Sequence, residues 1–130
     1  MNEAREEELK VIDDSHSTVS ELPVFQRAQL ETTSGGDRQF ADQVLRVFVS
    51  EIPSRIRSIR RAVESGEYRN LRYHARAAKC GSQAVGAIRL AEVCSELEER
   101  AQGGDVLPVI SSLVKEARRF RTHVNQQNVF

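Results

Sequence analysis

Between residues 37 and 65 the large apolar side chains recur at helical spacing. Phe40, Val44, Val47, Phe48, Ile52, Ile56, Ile59 and Val63 draw one stripe along a single amphipathic helix. Asp37 follows the chain-breaking Ser34-Gly35-Gly36 and is placed to cap the first turn, while Ser65-Gly66 closes the last. Pro53 falls inside the pattern, but the stripe keeps its phase across it, which predicts one bent helix rather than two. A second inward line, Leu71, Ala75, Ala78, Ser82 and Val85, runs from a helix start near Glu67, and its small side chains predict close approach of a neighbour. Gly86 marks a bend or boundary after it. Ile88, Leu90, Ala91, Cys94, Leu97 and Ala101 form a third apolar line. After Gly103-Gly104-Asp105, the residues Leu107, Ile110, Leu113, Val114, Ala117, Phe120 and Val124 form a fourth, with Pro108 tolerable in its first turn. A short helical turn over about 23–32, carrying Phe25, Ala28 and Leu30, precedes all of these.

Nowhere does the chain alternate with period two, so no strand competes with the helices. Short connections force successive helices to run antiparallel. The predicted fold is all-α, an antiparallel up-and-down four-helix bundle with a short extra N-terminal helix. A chain of 130 residues with 5% aromatics and no Trp supports one such core, built mainly from Leu, Ile, Val and Ala. The bundle is expected over 22–125, with a C-terminal tail at 126–130. Residues 1–21 hold seven acids against two bases and few large apolar residues, and are expected to form a flexible acidic tail. The formal net charge of zero therefore conceals a mildly basic folded part, with seventeen bases against twelve acids.

Several classes of function are disfavoured by composition. No apolar run approaches the roughly 18 residues of a membrane span, and the acidic start lacks the layout of a signal peptide, so a soluble cytoplasmic protein with no membrane contact is expected. Cys80 and Cys94 stand fourteen residues apart without further Cys or paired His, which points to reduced thiols with no disulfide framework, metal site or cofactor. Arg55, Arg57, Arg60 and Arg61 add positive charge, but zero net charge and the lack of interleaved aromatics argue against nucleic acid. Carboxylates are dispersed and no nucleophile is paired with a base at motif spacing, so no enzyme is expected.

One stretch carries a motif. Residues 75–94, "ARAAKCGSQAVGAIRLAEVC", resemble the histidine-containing phosphotransfer (HPt) domain family. That family's second bundle helix reads Ala-His-x-Leu-Lys-Gly-Ser-Ser, then three residues, then Gly-Ala or similar, and later often a Cys. Ala75, Lys79, Ser82, Gly86, Ala87 and Cys94 match it without a gap, and the layout agrees over roughly residues 23–124. The resemblance implies a four-helix bundle that relays phosphoryl groups in two-component phosphorelays. Its partners would be a response-regulator receiver domain or a hybrid sensor kinase. In this register Arg76 occupies the phosphoacceptor position and Cys80 that of the motif's first Gly. A guanidinium stays protonated and offers no lone pair for attack on phosphorus.

His74 lies two residues earlier. Around the helix it is about 60° from Leu71 and about 40° from Ala78, toward the core, whereas Arg76 lies about 140° and 160° from the same two residues, toward water. A packed His74 is expected. An active phosphotransfer protein using His74 is the alternative, and it requires a local distortion of the helix. Arg69, Arg72, Arg76, Lys79 and Gln83 follow one another at helical spacing as a basic stripe, with Cys80 about 40° from Arg76. Together with the resemblance, this face is the expected partner-binding surface of a monomer that docks a receiver or kinase but carries no phosphate. Cys94 is expected in the core as a small hydrophobe.

Overall fold

The computed structural model describes Val19 and residues 21–126. Most of the predicted acidic tail, and residues 127–130 of the predicted C-terminal tail, lie outside the described residues. Among the described residues five helices follow in order: α1 (Arg27–Thr33), α2 (Arg38–Glu64), α3 (Tyr68–Val85), α4 (Ile88–Arg100) and α5 (Leu107–Gln126). Successive helices pack against one another from α2 to α5, and α2 also touches α5, closing the four-helix bundle. The short α1 lies across α2 and α3. No strand occurs among the described residues.

Local chemistry sets the boundaries. The Asp37 carboxylate accepts a hydrogen bond from the Phe40 amide at 3.1 Å, satisfying one of the free donors at the start of α2. Pro53 sits inside that helix, which continues without a break from Arg38 to Glu64. Asp105 accepts from the Leu107 amide at 3.3 Å where α5 begins. Only two residues, Gly86 and Ala87, connect α3 to α4. Gly86 adopts a left-handed φ of 82°, and the Ala87 amide returns to the Ser82 carbonyl at 2.8 Å. A Cβ on Gly86 would also collide with the backbone carbonyl of Gln26, whose amide donates to the Gly86 carbonyl at 2.8 Å. The residues entering α1 are thus docked on the α3–α4 turn. The Arg89 side chain holds them as well, donating from Nε to the Leu22 carbonyl at 2.7 Å.

Leu30, Leu45, Ile59, Leu71, Leu97, Val109 and Phe120 are among the largest fully buried side chains. Phe120 is their aromatic centre, with edge-on contacts to Phe25 at 5.8 Å and Phe48 at 5.6 Å. Val19, inside the stretch read from sequence as tail, is buried in the same core. The inward line of α3 is as expected for Leu71, Ala75, Ser82 and Val85, while Ala78 is only partly buried. The line on α2 is as expected for Ile59, which is buried, and for Val44, Phe48, Ile52, Ile56 and Val63, which pack against the core; Ala41, Leu45 and Ala62 are buried beside them, while Phe40 is 48% and Val47 54% exposed. The apolar arc of α2 is wider than the face its neighbours cover. Small Ala41 and Ala62 permit the close approach, and the side chains at the edge of the arc stay in water. No helix among the described residues is long and apolar enough to cross a membrane.

Candidate functional site

Helix α3 packs against α2, α4 and, near its C-terminal end, α1, and its remaining face is open. Arg69, Arg72, Arg76, Cys80 and Gln83 are all exposed there, and Lys79 is partly buried toward α4. The Arg76 side chain is 73% exposed. The stripe is not uniformly free of compensating charge, however. Glu98 of α4 offers one carboxylate oxygen to Lys79 Nζ at 3.0 Å and the other to Arg76 Nε at 3.6 Å. Farther along α3, Arg69 and Arg72 border a cleft whose other wall is the α4–α5 loop around Gln102 and Gly103. The geometry therefore divides the stripe into an Arg76–Lys79 pair held by a carboxylate and an Arg69–Arg72 pair facing a loop.

His74 points the other way. Its Nδ1 lies 3.1 Å from Nη1 of Arg55 on α2. A guanidinium only donates, so Nδ1 is the acceptor and the ring carries its proton on Nε2. A neutral imidazole has one lone pair, and Arg55 uses it. Tyr73 packs edge-on against the same ring, with centroids 5.3 Å apart. Burial first, and then the positive charge of Arg55, hold the His74 pKa below the usual 6.5.

The shift has a consequence for stability. The unfolded chain binds a proton at His74 near the ordinary imidazole value, while the folded chain resists it until lower pH. The stability from this group is present above that value and is lost as pH falls from it through the folded pKa. Going from about pH 7.5 to about pH 5, the wild-type protein should lose more stability against urea than His74→Gln does. Equal losses would show that His74 gains no protection from protonation by folding.

Neither cysteine is bonded to another. Cys80 is exposed, whereas Cys94 is buried and its thiol is pushed up to about 12 by desolvation. Cys94 thus behaves as the inert core residue expected. Among the described residues, no three His, Cys, Asp or Glu side chains are grouped so as to hold a metal ion.

Glu98 was not singled out from sequence, and Arg55 was noted there only for its charge, not as the partner of His74. Both follow from hairpin arithmetic: folding the chain back about Gly86-Ala87 sets Glu98 opposite Arg76, and folding it about Ser65-Gly66 sets Arg55 opposite His74.

The Hpt domain family matches residues 43–124. The crystal structure of histidine-containing phosphotransfer protein B from Pseudomonas aeruginosa PAO1 is similar, with 29% sequence identity and a TM-score of 0.73, over 81% of this chain and 94% of that one. A search of curated protein sequences finds no match. The matched segment spans all of α3, α4 and the body of α5, where the motif register was drawn, and the chain belongs to the Hpt domain family.

Proposed function

We propose that this Hpt-family chain is a phosphorelay signalling module that docks a receiver domain, or the receiver of a hybrid sensor kinase, through the open face of α3 without carrying phosphate. The observation that supports this most is the exposure of Arg76. The side chain in the phosphoacceptor register is the one that stands in solvent, where a partner reaches it, and it has no nucleophilic nitrogen. The alternative acceptor, His74, has its lone pair committed to Arg55. Phosphorylation there would require breaking that bond to free a ring nitrogen for attack.

A receiver presents a cluster of carboxylates around its phosphorylatable Asp. Arg76 is suited to bond such a cluster bidentately, in place of a phosphohistidine. Glu98 sets the threshold for this. It occupies the Arg76–Lys79 pair in the free protein, so a partner carboxylate must compete with it. Arg69, Arg72, Cys80 and Gln83 would form the surrounding contact surface. The protein is expected to act as a monomer in the cytoplasm, and its transmission of a signal is expected to rest on occupancy rather than group transfer. The proposed unit is the bundle over 22–125, with Val19 packed into its core.

Binding to the cognate receiver, titrated at two salt concentrations, tests the docking face. Arg76→Ala should raise the dissociation rate, at a cost of about 2 to 5 kcal/mol if it leaves partner carboxylates buried and unpaired. Arg72→Glu should mainly slow association and reduce its salt dependence. Arg118→Ala, exposed on α5 away from this face, should do neither. Identical behaviour of all three variants would mean that the stripe is an ordinary solvated helix face.

A further inference from the structure

The outer face of α5 carries a block of positive charge that the docking face does not use. Lys115, Arg118, Arg119 and Arg121 are all exposed on it, with exposed Ser111 and Thr122 among them. Around the helix the four bases cover about 160°, opposite the buried line of Val109, Leu113, Phe120 and Val124. The one carboxylate of α5, Glu116, is buried, and its Oε2 takes up Arg119 Nη1 at 3.2 Å. Among the described residues, Lys115, Arg118 and Arg121 make no ion pair. This face therefore differs from the stripe on α3, where Glu98 already compensates Arg76 and Lys79.

The same helix holds the residues that lead into α1. Glu116 Oε1 faces Arg89 Nη1 at 4.0 Å, and Nε of Arg89 donates to the Leu22 carbonyl at 2.7 Å. Phe25 packs edge-on against Phe120 at 5.8 Å and against His123 at 6.1 Å. Val19 is 4% exposed in the core. The chain thus joins the bundle beside α5. Ahead of Val19 stand six acids, Glu3, Glu6, Glu7, Glu8, Asp13 and Asp14, against two bases, Arg5 and Lys10, a net charge of −4 over residues 1–18. Helix α5 carries +3, four bases less Glu116. The distance is within reach: Glu8, eleven residues from Val19, can lie up to about 36 Å from it, while Lys115 to Arg121 occupies only about 9 Å of helix.

We propose that the acidic segment 1–18 lies on the outer face of α5, with its carboxylates on Lys115, Arg118 and Arg121, so that the chain covers its own basic face. Single exposed ion pairs are weak, but a segment held at Val19 stands over the neighbouring helix at an effective concentration of the order of mM, and several pairs act together. Salt weakens the contact, since the screening length falls from about 10 Å at 0.1 M to about 3 Å at 1 M. The covered face is closed to other polyanions. The contact does not rest on receiver docking and is testable without a receiver.

The test is paramagnetic relaxation enhancement on the full chain. A nitroxide is placed on α5 in Cys80→Ser/Thr122→Cys and, in a parallel sample, on native Cys80, which is exposed on α3. Cys94, buried and with its thiol pushed up to about 12, stays unlabelled in both. The amides of Glu6, Glu7 and Glu8 are read, because Asp13 and Asp14 are kept near this end of the bundle by the tether alone. With the label on α5 their signals should fall by at least about half at low salt, relative to the reduced nitroxide, and recover at about 1 M salt. Lys115→Gln/Arg118→Gln/Arg121→Gln should abolish the low-salt loss while the spectrum stays dispersed. Glu6→Gln/Glu7→Gln/Glu8→Gln, which changes no residue of the bundle, should abolish it too. The proposal is overturned if the α5 label broadens these amides no more at low salt than at high, or if the loss survives either triple variant. Equal or stronger broadening from Cys80 would overturn it by placing the segment on α3. The same broadening in a mixture with nitroxide and isotope on separate copies would overturn it by making the contact one between molecules.

Discussion

On the proposed reading, in which the unaltered chain accepts no phosphate, replacing Arg76 by His should let it accept phosphate from a phosphorylated receiver, a change from no labelling to measurable labelling. The side chain at 76 is 73% exposed, so an imidazole placed there would meet the partner without rearrangement of the helix. Its neutral nitrogen would attack phosphorus and form an N–P bond, while the receiver's Asp carboxylate leaves with the bonding electrons. Lys79 is already within one helical turn, positioned by Glu98 at 3.0 Å, and would stabilise the transferring group electrostatically. Cys80 is exposed on the same face where the family motif has Gly, and its side chain is expected to slow close docking. Arg76→His/Cys80→Gly should therefore label faster than Arg76→His alone. No label on either variant would show that the gapless register misplaces the acceptor position.

The second large effect concerns the core. Phe120→Ala should destabilise the protein by about 3 to 5 kcal/mol in urea unfolding, the usual cost of removing a buried Phe. Phe120 is 1% exposed, and the substitution removes edge contacts to both Phe25 and Phe48, so two elements lose support together. Against a total stability of about 5 to 15 kcal/mol for a domain of this kind, that is enough to unfold part of the population near body temperature. Phe40→Ala should change stability by no more than about 0.5 kcal/mol, because half of that side chain already lies in water. Similar costs at the two positions would contradict the placement of Phe40 at the exposed edge of the apolar arc of α2.

The contrast between Phe40 and Phe120 shows what hydrophobic periodicity conveys. It located α2 correctly, along with its cap at Asp37 and its passage through Pro53, because these depend on local chemistry. It could not decide which edge of a wide apolar arc meets the neighbours. That choice depends on how closely the backbones approach, which Ala41 and Ala62 permit and Phe40 does not. The same holds for the site. The solvent-facing placement of Arg76 and the inward lean of His74 followed from angles around one helix, and both are observed. Glu98 and Arg55 come from other helices, and only the geometry of the two hairpins brings them to Arg76 and His74.

The most direct test of the account is phosphoryl transfer to the unaltered chain. The protein is incubated with its receiver, phosphorylated on Asp, and the products are separated and assayed for acid-labile, base-stable phosphate. If Arg76 holds the acceptor position, as proposed, and Arg55 keeps the His74 lone pair, no phosphohistidine should form on this chain while the receiver still binds it. Phosphate on the chain that disappears in His74→Ala would contradict the account, and would make this an active carrier that uses a histidine turned out of the α2–α3 contact.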